Sequence, residues 1–305
     1  MIYNSVADII GNTPILELTS FERDYNLDSK LFAKLEMMNP AGSAKDRVAK
    51  SIIEVAEKDG KLRAGGTIVE STSGNTGIGL ASVGISRGYK VIIVMPDTMS
   101  KERIKTMEAY GATVVLSDGA LGMKGANELA QKIADETENS FVASQFENKA
   151  NPLSHYLTTG PELYRDLGGE IDYFVCAVGT GGTLSGVGKY LKEKNENIKV
   201  VAVEPENSPL LSKGVAGAHK IQGIGANFVP DTLDKSIYDE IITVSDEEAY
   251  RFTAEISKKE GVLAGISSGC ALCAAIKIAQ REKGKKIAVI FPDTGLRYLS
   301  NNIWS

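Results

Sequence analysis

One lysine and three glycine-rich turns are the residues of this chain that can do chemistry together. Lys45 lies in the run NPAGSAKDRVAKSII, where Asn39, Pro40 and Gly42 make a turn and a helix begins near Ser43. That places Lys45 in the first helical turn. The helix dipole disfavours a cation there, which eases loss of the ammonium proton and suits an amine that must attack an aldehyde. A solvated surface lysine fits the same local pattern, and Asp46 and Arg47 read equally well as helix-surface charges. The glycine-rich turns are STSGNTG after Glu70, GTGGTLSG after Val178 and GISSG from Gly265. Each follows an apolar run and precedes a helical one. A helix N-terminus offers free backbone N–H groups to an anion, and glycine lets the backbone approach it closely. Two such turns can serve two anions, a phosphate and a carboxylate. A tight turn that binds nothing has the same signature, so each loop is weak on its own.

The GTGGT loop also invites a nucleotide reading. A Walker loop is absent. The dinucleotide fingerprint fails at its last position, because Gly179 and Gly181 are followed by Leu184 rather than glycine. Glu204, at the end of KVVAVEP, nevertheless stands about where a ribose-binding acid would lie. A nicotinamide-dependent oxidoreductase is therefore carried as the rival of another class. Cys270 and Cys273 form C-x-x-C, a redox or half-zinc pattern. They sit in SSGCALCAAIKIA, which reads as a buried helix of small residues. With Cys176, His155 and His219 the chain offers no metal-like ligand spacing, and two histidines make a hydrolytic triad a poor fit.

These residues need elements to position them. Apolar, β-branched runs (KLFAKLE, GTIVEST, KVIIVMP, TVVLSD, FVAS, IDYFVCAV, KVVAVEP, KIAVIFP) alternate with helical runs such as AKDRVAKSIIEVAEKDG, SKERIKTMEAYG and GMKGANELAQKIADET. Several strands are continuously apolar, as parallel strands covered on both faces are. The alternation predicts an α/β fold with doubly wound, mostly parallel sheets, whose strand carboxyl ends carry the ligand loops. The chain has 305 residues, enough for two lobes, with a boundary near SQFENKANP. Hydrophobic residues make up 43% and charged residues 24%, and the net charge is −5. No basic run suits nucleic acid, no apolar run spans a bilayer and the N-terminus lacks a secretory pattern, so a cytoplasmic enzyme is expected.

Taken in order, NPAGSAKDR, ESTSGNTG, GTGGTLSG, IQGIGA and AGISSG resemble the motifs of cysteine synthases, the O-acetylserine sulfhydrylases of the fold-type II (tryptophan synthase β-like) pyridoxal-phosphate enzymes. The resemblance runs from GNTPILEL to PDTGLRYLS. It implies two domains with the active site in the cleft between them. A smaller mobile domain would span about 36–147, and a larger one residues 1–35 plus 148–305. It implies pyridoxal 5′-phosphate as cofactor, bound covalently by Lys45. Gly179, Thr180, Gly181, Gly182 and Thr183 would cradle its phosphate, Asn75 would bond its 3′-oxygen and Ser267 would face its pyridine nitrogen. Thr72, Ser73, Thr76 and Gln145 would hold the substrate carboxylate, and Gly223 would face the reacting amino acid. Lys45 would also be the general base that takes and returns the Cα proton. The implied reaction is β-replacement through an α-aminoacrylate, O-acetyl-L-serine plus sulfide giving L-cysteine plus acetate. A homodimer is implied, and serine acetyltransferase is a partner of some members.

Three positions depart from the family pattern. Lys149 stands where many relatives have proline, Asn227 where cysteine synthases commonly have glycine, and Leu296 where an acid is usual. Neutral drift accounts for them. So does an altered nucleophile site in which Asn227 helps bind a second amino acid, as in enzymes that consume cysteine, release hydrogen sulfide and form lanthionine or cystathionine.

Overall fold

The computed structural model describes residues 2–304. Among the described residues ten strands follow one another: β1 Ile15–Glu17, β2 Lys30–Leu35, β3 Thr67–Ser71, β4 Lys90–Pro96, β5 Thr113–Ser117, β6 Ser140–Val142, β7 Tyr173–Ala177, β8 Lys199–Pro205, β9 Glu240–Val244 and β10 Lys286–Phe291. They form two sheets, one in each of two compact units. The first unit comprises Met1–Ile10 with Asn39–Asn151, and the second Gly11–Met38 with Pro152–Ser305. The N-terminal segment therefore groups with the first unit, where the Lys50 ammonium donates to the Ala7 carbonyl at 2.9 Å. The chain passes into the second unit after Asn151, within the NKANP run.

The sheet of the first unit has the order β5-β4-β3-β6 and is parallel throughout. The sheet of the second unit has the order β1-β2-β10-β7-β8-β9, parallel except for the β1–β2 pair. Alternation along each central strand divides its apolar residues between two cores. In the second unit Val175, Val201, Val203, Ile287 and Val289 join one core, while Phe174, Val200, Ala202, Ala288 and Ile290 join the other. In the first unit Ile68, Val91 and Ile93 face one side, and Val69 and Val94 face the other against Ala126, Ala130 and Ala134. Both faces are covered, which is why these strands read as continuous apolar runs.

Two strands were absent from the sequence expectation, β1 and β9. Each lies at an edge of the second sheet, and β1 has only half-buried residues. The C-x-x-C cysteines are buried in the helix Ile266–Arg281, as its small-residue pattern suggests. Burial pushes the Cys273 thiol up to about 12 and the Cys270 thiol well above its usual range, so both stay protonated.

Candidate functional site

In the first unit the helix Lys45–Lys58 begins at Lys45 itself. The turn before it is tied down by its own side chains. The Ser43 hydroxyl accepts the Lys45 N–H at 3.2 Å, and the Asp46 carboxylate accepts the Ala41 N–H at 2.6 Å. Asp46 and Arg47 are buried rather than surface charges, because that turn folds back over the helix start and makes the carboxylate an internal cap. Lys45 is half-buried. Its backbone also meets the second candidate loop. A Cβ on Gly79, in the helix Asn75–Ser86, would lie 2.9 Å from the Lys45 carbonyl oxygen, so two helices cross at backbone contact there.

The STSGNTG loop joins the carboxyl end of β3 to that second helix, and Asn75 is the first helical residue. Thr72 is buried, and its hydroxyl accepts the Gly74 N–H at 3.2 Å. The Ser73 carbonyl accepts from the Arg103 guanidinium at 3.2 Å. The Thr76 hydroxyl donates to the Gln145 side-chain oxygen at 2.5 Å, so two residues 69 apart in sequence meet at one spot. Gln145 follows β6, whose ladder onto β3 ends with the Ala143 N–H on the Val69 carbonyl. The next two N–H groups turn onto the Glu70 carboxylate, from Ser144 at 2.7 Å and from Gln145 at 3.4 Å. The first unit thus gathers Lys45, Thr72, Ser73, Asn75, Thr76 and Gln145 on the loops and helix starts beyond its strand ends. A cavity of about 180 Å³ lies on the side of the helix Gly122–Glu136, lined by Glu70, Ser71, Asn127, Gln131, Gln145 and Glu147 among others, and of the residues so gathered it shares only Gln145.

In the second unit the GTGGT loop leads from β7 into the helix Gly182–Lys194. Gly181 caps that helix with φ +80°, and a Cβ there would lie 2.6 Å from Leu233 Cβ. The position admits glycine on both backbone and packing grounds. A Cβ on Gly179 would lie 2.4 Å from the Gly223 carbonyl oxygen, and the Gly225 N–H donates to the Val178 carbonyl at 3.0 Å. The GTGGT and IQGIGA loops therefore lie against each other. From outside, the Thr232 hydroxyl donates to the Thr180 carbonyl at 2.6 Å. The loop Gly179, Thr180, Gly181, Gly182 and Thr183 is thus a helix N-terminus packed closely by glycine against Gly223 and Leu233 and braced through Thr180. Ser267 is buried at the second position of the helix Ile266–Arg281.

His155 had no expected role. It is fully buried in a π-helical turn, His155–Thr159, with Nδ1 2.9 Å from the Thr159 hydroxyl and Nε2 3.1 Å from the Thr183 hydroxyl. It backs the 179–183 loop directly through Thr183. A single histidine in HYLTTG carries no motif, so no sequence signal marks it. Two other sequence candidates resolve differently. Glu204, the ribose-binding acid of the nicotinamide reading, accepts the Leu211 N–H at 2.7 Å and the Ser212 N–H at 3.0 Å. Its carboxylate is spent on capping a short helix, which removes that support for the rival. Asn227 has φ +62°, and its side-chain oxygen accepts from the Ser208 hydroxyl at 3.2 Å. A left-handed backbone is tolerated by asparagine better than by most residues, so the turn itself explains the exchange with glycine. Lys149 is exposed and Leu296 is 64% exposed.

Comparison with known proteins places these features in a family. A family model described as pyridoxal-phosphate dependent enzyme matches residues 6–293. A cysteine synthase of Staphylococcus aureus is 50% identical over 304 residues, which cover 99% of this chain and 97% of that protein. The crystal structure of a cysteine synthase from Entamoeba histolytica superposes with a TM-score of 0.96 at 43% identity, covering 100% of this chain and 91% of that one. A hydrogen sulfide-producing enzyme from Fusobacterium nucleatum superposes with a TM-score of 0.94 at 46% identity, covering 98% of this chain and 99% of that one.

Proposed function

Because the chain belongs to the pyridoxal-phosphate dependent enzyme family, we propose that it is a cysteine synthase, converting O-acetyl-L-serine and sulfide to L-cysteine and acetate. The nicotinamide oxidoreductase of the sequence reading is set aside by the same membership. The observation that carries the proposal is the pairing of motifs. One unit offers a helix-start lysine beside a hydroxyl-rich loop, and the other offers a glycine cradle at a helix N-terminus.

The residues present fit the cofactor. Its phosphate needs N–H donors and an approach that Cβ atoms would obstruct, and the 179–183 loop supplies both without a cation. Lys45 supplies the amine for its aldehyde, Asn75 a partner for its 3′-oxygen and Ser267 a neutral partner for its pyridine nitrogen. When bound, the cofactor supplies an electron sink that acidifies the substrate Cα–H and lets the β-substituent leave. A neutral hydroxyl at the ring nitrogen cannot stabilise a protonated ring as a carboxylate would, which favours prompt elimination over transamination.

The chain's own residues then have distinct tasks. Thr72, Ser73, Thr76 and Gln145 bind the substrate carboxylate, which orients Cα–H toward Lys45. The Lys45 amine takes the Cα proton, acetate departs from Cβ, and hydrosulfide adds at Cβ. Lys45 then returns the proton to Cα. Gly223, with φ +91° and open space where a Cβ would be, leaves room for the reacting amino acid. Exclusion of water by the carboxylate loop protects the unsaturated species from hydrolysis to pyruvate.

The same reading extends to a homodimer, to serine acetyltransferase as a partner and to a cytoplasmic location. Its support is the family resemblance, together with the fact that among the described residues no helix is long and apolar enough to cross a membrane. The alternative, a cysteine-consuming enzyme that releases sulfide, draws on the resemblance to the Fusobacterium protein. The Asn227–Ser208 contact favours a turn role for Asn227 over a substrate contact. The deciding assay compares cysteine formed from O-acetylserine and sulfide with sulfide released from cysteine alone. Cysteine formation is expected to be faster by at least about tenfold in kcat/KM. Faster sulfide release would overturn the proposal.

A further inference from the structure

We propose that Glu70 is a positioning residue for substrate binding: its carboxylate holds the Ser144–Gln145 turn in the conformation that presents Gln145 to Thr76. The inference rests on the reading of Thr76 and Gln145 as binders of the substrate carboxylate.

Glu70 is 3% exposed and lies in β3, one residue from the strand's end and two from Thr72. Its carboxylate accepts the backbone N–H groups of Ser144 and Gln145 and also bonds the Gln145 side chain. Ser144 has φ +52°, a left-handed conformation that costs a serine energy and persists only where its surroundings enforce it. On one side the Glu70 carboxylate gathers both N–H groups where the β3–β6 ladder stops, and on the other the Ser144 carbonyl accepts the Glu147 and Asn148 N–H groups at 3.0 and 2.9 Å. The bend turns the Gln145 side chain inward. There it accepts from Thr76 at 2.5 Å, while the Gln145 carbonyl accepts from the Asn151 side chain at 2.9 Å. Glu70 thus acts on the carboxylate site through Gln145, from a position 75 residues away in sequence.

Burying a carboxylate against neutral partners is expensive, and a neutral side chain would fill the place at less cost to stability. Burial pushes the Glu70 carboxyl up to about 7, against the pull of the Gln145 and Ser144 donors, and Glu147 pushes it further up. Glu147 is also the other titratable group lining the adjoining cavity. The helix Gly122–Glu136 contributes neutral Asn127, Ala130 and Gln131 there, and β3 contributes Ser71. Ionisation strengthens both hydrogen bonds, so the grip on Gln145 tightens as pH rises through neutrality.

The test is steady-state kinetics of the holoenzyme with O-acetyl-L-serine at saturating sulfide, for Glu70→Gln, Gln145→Ala and the double variant. Glu70→Gln is expected to raise KM about tenfold with kcat within about threefold, and to flatten the change in kcat/KM between about pH 6 and 8. The double variant is expected to match Gln145→Ala within about twofold, because both changes act through one side chain. Multiplying effects in the double variant, or an unchanged KM in Glu70→Gln where Gln145→Ala raises it, would overturn the role of Glu70 alone. An unchanged KM in Gln145→Ala would overturn the carboxylate-site reading and this inference with it. Glu70→Asp, which keeps the charge but withdraws it by one methylene, is the second variant and should raise KM by less than Glu70→Gln. Failure of both variants to fold would overturn the inference, since a purely structural role would then account for the carboxylate.

Discussion

The imidazole Nε2 of His155 lies 3.1 Å from the hydroxyl oxygen of Thr183, and its Nδ1 lies 2.9 Å from that of Thr159. In the tautomer protonated at Nε2, Thr159 donates to Nδ1, Nε2–H donates to Thr183, and the Thr183 hydroxyl hydrogen points elsewhere; in the other tautomer Thr183 donates to Nε2. A residue of no motif thereby holds the hydroxyl of Thr183, proposed above to face the cofactor phosphate. Replacing His155 by leucine keeps the volume and removes both hydrogen bonds. Cofactor affinity of the apo-protein is expected to fall about tenfold, near 1.4 kcal/mol. Titration with pyridoxal phosphate, followed by absorbance, measures it, and an unchanged dissociation constant would contradict the arrangement.

Two glycines of the second unit separate the effects of packing and backbone. A methyl group on Gly179 would meet the Gly223 carbonyl oxygen, while one on Gly223 would meet nothing within 4 Å but must adopt φ +91°. Gly179→Ala is expected to cost about 3 kcal/mol and to release cofactor, because two loop backbones must separate. Gly223→Ala is expected to cost about 1–2 kcal/mol, from backbone strain alone. Denaturant melts of the two variants compare the values, and equal costs would contradict the close approach of the loops.

The Glu70 carboxyl stands at about 7 in the folded chain against 4.5 ordinarily. The folded state thus binds this proton more tightly than the unfolded state does. Its stabilising contribution is complete below the unfolded value of 4.5 and is lost as pH rises through about 7. The loss over that window is on the order of 3 kcal/mol. Glu70→Gln does not titrate, so its melting temperature relative to the parent should rise by several degrees between about pH 5 and 8. A difference that stays constant with pH would contradict the raised carboxyl.

The sequence is most informative where one element determines the answer by itself. The central strands β3, β4, β8 and β10 announce themselves as apolar runs, because sheets covered on both faces leave no polar alternation. The helix start at Lys45 is equally local, set by the turn before it and by the Ser43 hydroxyl. The edge strands β1, half-buried throughout, and β9, half-buried but for Val244, give no such signal. Glu70 and His155 were silent for a different reason. Glu70 reads as the end of an apolar strand, and its partners come from 74 and 75 residues further on. His155 reaches the cradle across 28 residues from a π-helical turn that no periodicity foretells. Glu204 misled because its place after β8 suits a ribose, whereas its oxygens are already occupied by the next helix.

The proposed chemistry needs the amine at the start of the helix Lys45–Lys58. Reducing the pyridoxal-phosphate-loaded protein with borohydride, digesting it and mapping the labelled peptide by mass spectrometry tests that amine directly. The pyridoxyl group is expected on Lys45 at close to one per chain, and Lys45→Ala should take up no label there. A label on another lysine, with residue 45 unmodified, would contradict the assignment.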